Sequence, residues 1–222
     1  MNNIKFNNGN VFTPSKIVCV GLNYAAHIEE MASKRSGTPV IFMKPNSALH
    51  PIEEPIPIPT DAGAVHHEVE LAVCIAKKGS NISEDDVFNH IAGYGLALDL
   101  TLRDMQKSAK DKGHPWAIAK GFDHSCPVSS FTPKDDIEDI DNLNIRLELN
   151  NVLRQNGNTS QMIFKLPQLI AYISRFYTLE EGDIILTGTP AGVGPIQPGD
   201  HINASISEVA VIETTVIKKL LY

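Results

Sequence analysis

Two glutamates stand one residue apart in the stretch HHEVEL, residues 66–71, which runs on into AVCIA. The run reads as a β-strand. Strand side chains alternate, so Glu68 and Glu70 share one face while Val69 and Leu71 take the other. Carboxylates paired on one face repel unless solvent or positive charge meets them. A third acid, Asp99, lies in LALDLTL between apolar neighbours, where acids are rarely buried without a partner. If the fold gathers Glu68, Glu70 and Asp99, the result is an all-oxygen cluster suited to Mg2+, Mn2+ or Ca2+ rather than zinc. It would leave roughly three octahedral positions for water or a chelating substrate. Pattern alone equally admits a solvated strand face, with Asp99 capping the helix after it. His66 and His67 open a further reading, an iron-type facial triad, which needs a distant second histidine.

Three other features carry chemistry. His27 and Glu30 fall three residues apart in AAHIEEMASK, so on a helix they share a face. Glu30 could then orient the imidazole as a general base; an ordinary surface helix has the same spacing. LTGTPAGVGP offers Gly188, Gly192 and Gly194 for close backbone approach, and the hydroxyls of Thr187 and Thr189. Such a loop can hold a carboxylate or phosphate through its N–H groups, but it is neither a Walker A loop nor a dinucleotide fingerprint. Lys120, in WAIAKGFD, is either a snorkelling surface lysine or a cation facing a site.

The elements that must position these residues are mostly strands. Residues 17–21, 39–45, 66–76 and 93–100 read as strands, and 144–155 as a hairpin around Asn150-Asn151. The prolines of 51–63 make a rigid extended connector. Residues 183–195 read as a strand entering the glycine loop, and two β-branched strands close the chain. Helices are expected at 25–34, at 84–91 behind Ser83 as N-cap, at 101–113 ending on Gly113, and at 165–177. Strands in hairpins, rather than βαβ repeats, predict a β-rich α+β fold with peripheral helices. The 222 residues suffice for a single catalytic domain behind a short lead-in, residues 1–15.

Composition narrows the function classes. The net charge of -7 argues against nucleic acid as the main partner. No apolar run reaches the roughly 18 residues of a membrane span, and MNNIKFNNGN lacks a signal-peptide core. Cys19, Cys74 and Cys126 are widely spaced and odd in number, which suggests neither a disulfide framework nor a CxxC metal site, and Cys19 and Cys74, in apolar runs, read as buried reduced thiols of a cytoplasmic protein. The sequons at Asn81, Asn158 and Asn203 are then chance matches.

Taken in order, GLNYAAHIEEM, PVIFMKP, HHEVELAV, GYGLALDLTLRDMQ, PWAIAKGFD, SCPVS and LTGTPAGVGP closely resemble the fumarylacetoacetate hydrolase family. The likeness is to its short branch of acylpyruvate hydrolases and oxaloacetate decarboxylases, and covers about residues 15–218. It implies a mixed β-roll or barrel, a homodimer, and Mg2+ or Mn2+ held by Glu68, Glu70 and Asp99. It further implies that His27 and Glu30 activate water on a segment that orders over the substrate. Lys120 would face the substrate, a small 2-oxo acid, with Gln106, Gly188 and Thr189 helping to bind it. The reaction so implied is hydrolysis of the C–C bond of an acylpyruvate, such as fumarylpyruvate or acetylpyruvate, to pyruvate and an acid through an enolate. The alternative is oxaloacetate decarboxylation or keto–enol tautomerisation at the same site. One departure bears on the choice. Some relatives carry Arg where this chain has Leu22, and without that cation a second substrate carboxylate loses a partner. Leu22 and a lid over residues 28–38 are expected to set substrate preference.

Overall fold

A computed structural model of the chain describes residues 1–32 and 35–219. Its spine is an eight-stranded sheet. Along it the strands run Val40–Lys44, Ile17–Gly21, Ile184–Leu186, Val69–Ile75, Ile91–Leu98, Cys126–Val128 and Leu49–Pro51, with Thr132–Pro133 also pairing to Ile91–Leu98. The central strands are apolar almost without break because both faces are covered. Val69, Leu71, Val73, Val18, Val20, Leu96 and Ile185 enter the larger core. Ala72, Cys74, Cys19, Ala97 and Leu186, on the opposite face, enter a smaller one. Each fully buried Val or Leu contributes about 1.5–3 kcal/mol. Glu70 is in phase with Ala72 and Cys74, and Asp99 with Ala97, so both acids belong to the face packed with small residues.

A five-stranded sheet packs beside this spine, in the order Val152–Asn158, Asn144–Leu149, His201–Ile206, Ala210–Lys218 and Ile56–Ile58. Asn150 and Asn151 turn its first hairpin with φ of 53° and 63°, the left-handed pair that a two-residue turn requires. Helices α1 (Ala25–Glu30), α2 (Arg103–Lys112), α3 (Ala117–Gly121) and α4 (Leu166–Ser174) lie at the periphery. Gly113 closes α2 at φ 66°, as its sequence position predicts. The β-rich α+β expectation holds. No helix among the described residues is long and apolar enough to cross a membrane.

Four expectations change in detail. HHEVELAVCIA is two strands, not one. Val65–His67 pairs with Gly194–Ile196 and Thr101–Leu102 in a small separate sheet, and Val69–Ile75 joins the spine, so the chain changes sheets at Glu68. The lead-in folds as a hairpin of Ile4–Lys5 and Val11–Phe12, and Ile4 and Phe6 are buried in the smaller core. The connector 51–63 contributes Ile56–Ile58, paired in parallel with Ala210–Lys218. Residues 84–90 form a 3-10 helix, and Ser83 precedes it without a side-chain cap bond. Helix α1 is observed through Glu30; Ser33 and Lys34 of its expected extent, and part of the expected lid, lie outside the described residues.

The glycine loop that leaves Leu186 lies directly on the strand Val152–Asn158. A Cβ on Gly192 would sit 1.8 Å from the Arg154 carbonyl oxygen, at φ 101°. A Cβ on Gly157 would meet Pro190 at 2.6 Å. Neither position admits a side chain without moving loop and strand apart. Gly192→Ala is therefore expected to lower stability by about 1–3 kcal/mol in urea unfolding, through backbone strain and overpacking. A variant as stable as the parent would show that the loop is free to lift off the strand.

Candidate metal centre and active site

The three acids singled out by spacing meet in space. One carboxylate oxygen from each of Glu68, Glu70 and Asp99 lies within 4.8 Å of the others, and all three residues are buried. The sheet change at Glu68 and the end of Ile91–Leu98 just before Asp99 bring them to one end of the spine. Asp99 N–H donates to the Glu68 carbonyl at 2.8 Å, which locks these two acids edge to edge. No histidine joins the cluster among the described residues. His67 instead faces Gln155, with Nδ1 2.9 Å from Oε1, so the iron-type triad is not assembled.

Three cations answer the three acids. Lys120 Nζ donates to Glu68 Oε2 at 2.8 Å and to Asp99 Oδ2 at 2.6 Å. Arg103 Nη2 donates to Glu68 Oε1 at 2.5 Å. Lys44 Nζ lies 2.8 Å from Asp99 Oδ1, off the axis of a hydrogen bond, so that buried oxygen accepts none. The Lys44 ammonium points instead at the carbonyls of Leu100, Lys120 and Ser125. Glu70 has no cation in contact among the described residues; its Oε2 accepts only the Gly188 N–H, at 2.7 Å.

The electrostatics follow from this asymmetry. Burial, reinforced by the charges of Asp99 and Glu68, holds the Glu70 acid well above the usual carboxylate range. Burial works the same way on Glu68, but Lys120, Arg103 and His27 outweigh it and hold that acid below its ordinary value. Burial would lower Lys120, and the two carboxylates it bridges raise it instead. A cluster in which Glu70 has no cation in contact among the described residues, all donors being hard oxygens, suits a divalent cation.

A cavity of about 420 Å³ opens onto the cluster. Leu22, His27, Arg103, Gln106, Lys120 and Thr189 are among the residues lining it. Every residue expected at the site is thus near it, but several are already engaged. His27 Nδ1 lies 3.1 Å from Glu30 Oε2, the dyad foreseen from their spacing. Glu30 also accepts the Gly192 N–H at 3.0 Å, tying α1 to the glycine loop. Lys120 is not a snorkelling surface lysine: it is buried and bonded to two of the acids. Gln106 Oε1 accepts from Arg103 Nη1 at 2.7 Å. The Gly188 N–H serves Glu70, and the Thr187 and Thr189 hydroxyls donate to the Leu71 and Val69 carbonyls at 3.0 and 2.8 Å. The loop therefore holds the strand with the very groups expected to meet a ligand. Leu22 adopts φ 59°, an unusual conformation for a branched side chain, at the cavity wall.

Sequence reasoning missed Arg103 and Lys44. Arg103 follows Asp99 by four residues and supplies a guanidinium to the cavity that Leu22 does not. Its Nε is buried without a partner. Lys44 ends an apolar strand against Pro45, and a lone lysine closing an apolar run was the available signal.

The comparisons with known proteins agree with this geometry. The family model described as fumarylacetoacetate (FAA) hydrolase C-terminal matches residues 16–217. The chain is 51% identical to the mitochondrial oxaloacetate tautomerase FAHD1 of Bos taurus, covering 87% of each. It is 52% identical to the oxaloacetate tautomerase YcgM of Escherichia coli (strain K12), covering 86% of this chain and 88% of that one. The crystal structure of fumarylpyruvate hydrolase from Pseudomonas aeruginosa, in complex with Mn2+ and pyruvate, superposes with a TM-score of 0.94 at 31% identity, covering 98% of this chain and 96% of that one. With the fold, the acid cluster and the ordered motifs all in accord, the chain belongs to the fumarylacetoacetate hydrolase family.

Proposed function

We propose that this protein is a divalent-metal enzyme that interconverts the keto and enol forms of oxaloacetate. Charge carries the reading. Glu68, Glu70 and Asp99 balance Lys44, Lys120 and Arg103, so the ionised cluster is neutral by itself. A divalent cation makes it doubly positive, and a dianionic substrate restores neutrality. A singly charged acylpyruvate such as acetylpyruvate would leave a buried charge uncompensated, whereas fumarylpyruvate is itself a dianion and is set aside on likeness rather than on charge. Oxaloacetate is such a dianion, and the two relatives compared at about half identity are oxaloacetate tautomerases, while the fumarylpyruvate hydrolase stands at 31%. The balance shifts from C–C hydrolysis, the first expectation from sequence, to its alternative. Decarboxylation of oxaloacetate uses the same charge balance and is the second reading.

Glu68, Glu70 and Asp99 would hold Mg2+ or Mn2+. When bound, such an ion draws electron density from the oxygens of a chelating 2-oxo acid and acidifies the neighbouring carbon. The chain's own residues do the rest. Arg103 and Gln106 face the cavity with groups able to take the carboxylates. Lys120 adds positive charge beside the keto oxygen. A carboxylate only accepts hydrogen bonds, so the Glu30 contact places a proton on His27 Nδ1 and leaves Nε2 as the nitrogen to exchange a proton with substrate. His27 Nε2 takes a proton from C3 and returns it to the keto oxygen, giving the enol, with no water consumed. The same dyad that hydrolysis would use to activate water here moves a proton.

The deciding experiment follows oxaloacetate and acetylpyruvate by NMR after metal stripping, with and without Mg2+. Mg2+-dependent acceleration of keto–enol exchange in oxaloacetate, with acetylpyruvate intact, is expected. Acetate and pyruvate from acetylpyruvate would restore the hydrolase reading. His27→Ala is expected to slow the exchange by about 10²–10⁴-fold while Mn2+ affinity is kept; unchanged turnover would remove His27 from proton transfer. Glu70 sets a pH dependence. Its folded pKa is raised, so the metal-free protein loses stability as pH rises from the ordinary glutamate range toward that raised value. Cation binding needs the ionised form, so the Mn2+-induced gain in Tm should grow as pH rises from the ordinary glutamate range toward the raised Glu70 value. Glu70→Gln should abolish that gain without lowering the metal-free Tm at the upper end. A pH-independent gain would place the cation away from Glu70.

A further inference from the structure

Strands normally turn apolar side chains inward, and Val152–Asn158 does the reverse. Val152 and Leu153 are exposed, and the one buried position of the strand is an amide, Gln155, with no exposed surface. Every hydrogen-bonding group of that amide is engaged. Oε1 accepts from His67 Nδ1 at 2.9 Å and from the Val69 N–H at 3.0 Å. Nε2 donates to Thr189 Oγ1 at 2.7 Å and to the Pro190 carbonyl at 2.8 Å. Val69 N–H can only donate and the Pro190 carbonyl can only accept, so the orientation of the amide is determined.

The reason lies in the strand ladder. Ala72 pairs with Leu186, a register that would set Val69 opposite Thr189. The ladder stops first: Thr187 N–H still donates to the Leu71 carbonyl, but the chain leaves at Gly188, φ 99°, whose N–H turns to Glu70. Val69 is thus left without a strand partner on that edge, midway between Glu68 and Glu70. Two side chains replace the missing strand. Gln155 takes the Val69 N–H and the Thr189 hydroxyl donates to the Val69 carbonyl, while Gln155 also donates to that hydroxyl. The result is a closed ring around one residue. Because its single hydrogen goes to Val69, the Thr189 hydroxyl at the cavity wall has none left for a ligand.

We propose that Gln155 is a positioning residue that fixes the spacing of Glu68 and Glu70 and the setting of Thr189 for cation and substrate binding. The inference rests on the reading of Glu68, Glu70 and Asp99 as a cation clamp. It assigns the Thr189 hydroxyl to holding the strand rather than to contacting the substrate carboxylate.

The test measures Mn2+ alone by titration calorimetry, then KM and kcat with oxaloacetate, for the full chain and for Gln155→Met, Thr189→Val, Thr189→Ser and the Gln155→Met/Thr189→Val pair. Gln155→Met should weaken Mn2+ binding about 10–100-fold, the scale for losing a group that orients metal ligands, and should raise KM more than it lowers kcat. Thr189→Val should weaken Mn2+ binding although Thr189 is not a ligand, and Thr189→Ser should restore it. The double variant should bind no more weakly than Gln155→Met, because both act through one ring. Unchanged Mn2+ affinity in folded Gln155→Met, or additive losses in the pair, would overturn the proposal. If Gln155→Met does not fold, Thr189→Val decides, and parental affinity there overturns it equally. Absence of Mn2+ binding by the parent protein would instead sink the clamp itself, and this inference with it.

Discussion

Three carboxylates within 4.8 Å of one another, all buried, set the terms for the rest of this end of the molecule. Burying even one unpaired carboxylate costs several kcal/mol, and like charges add to that. The chain meets the cost with cations from three different elements: Lys44 from a spine strand, Arg103 from the first turn of α2, and Lys120 from α3. Lys44 and Lys120 could not themselves be buried without the acids. Each side of the cluster therefore justifies the other, and removing one member leaves an orphaned charge rather than a simple gap. Glu70 is the exception. It stands against two like charges, supported by one backbone N–H and by the charge of Lys120, which does not touch it. That imbalance is what makes the cluster a place for a further cation rather than a closed salt-bridge network.

The glycine loop serves this cluster by leaving the sheet. A regular continuation of Ile184–Leu186 would have satisfied the edge of Val69–Ile75 and left Glu70 facing a backbone with no free donor. Turning out at Gly188 gives its N–H to Glu70 and carries the loop over Val152–Asn158, where Gly192 lets the two backbones approach and Gly157 makes room for the Pro190 ring. From there Gly192 N–H reaches Glu30, so the dyad on α1, the loop and the acid strand are held in one network. The same few hydrogen bonds thereby tie the His27–Glu30 pair to the acid cluster.

Much of this was legible from sequence. The E-x-E spacing, the isolated Asp99, the His27–Glu30 interval and the glycine loop are local patterns whose geometry follows from strand and helix periodicity. The hairpin at Asn150-Asn151 and the cap at Gly113 were equally local. What stayed hidden was non-local. The break at Glu68 leaves no mark in an unbroken β-prone run, because the strand changes partners rather than conformation. Helix α3 is only five residues long, too short for periodicity to reveal. Gln155 stood at the end of the expected hairpin with nothing to single it out.

The sequence by itself determined which groups could do chemistry here: three oxygen donors, a histidine with its orienting acid, and a loop whose glycines permit close approach. Only the tertiary structure decided what each group faces. It placed Lys120 on the acids, gave the Gly188 N–H to Glu70, and turned the Thr189 hydroxyl toward Val69. The physical reason is that side-chain type and spacing are fixed along the chain, whereas hydrogen-bond partners and buried charge balance depend on residues 88 or 118 positions away, as with Gln155 and His67, or Gly188 and Glu70.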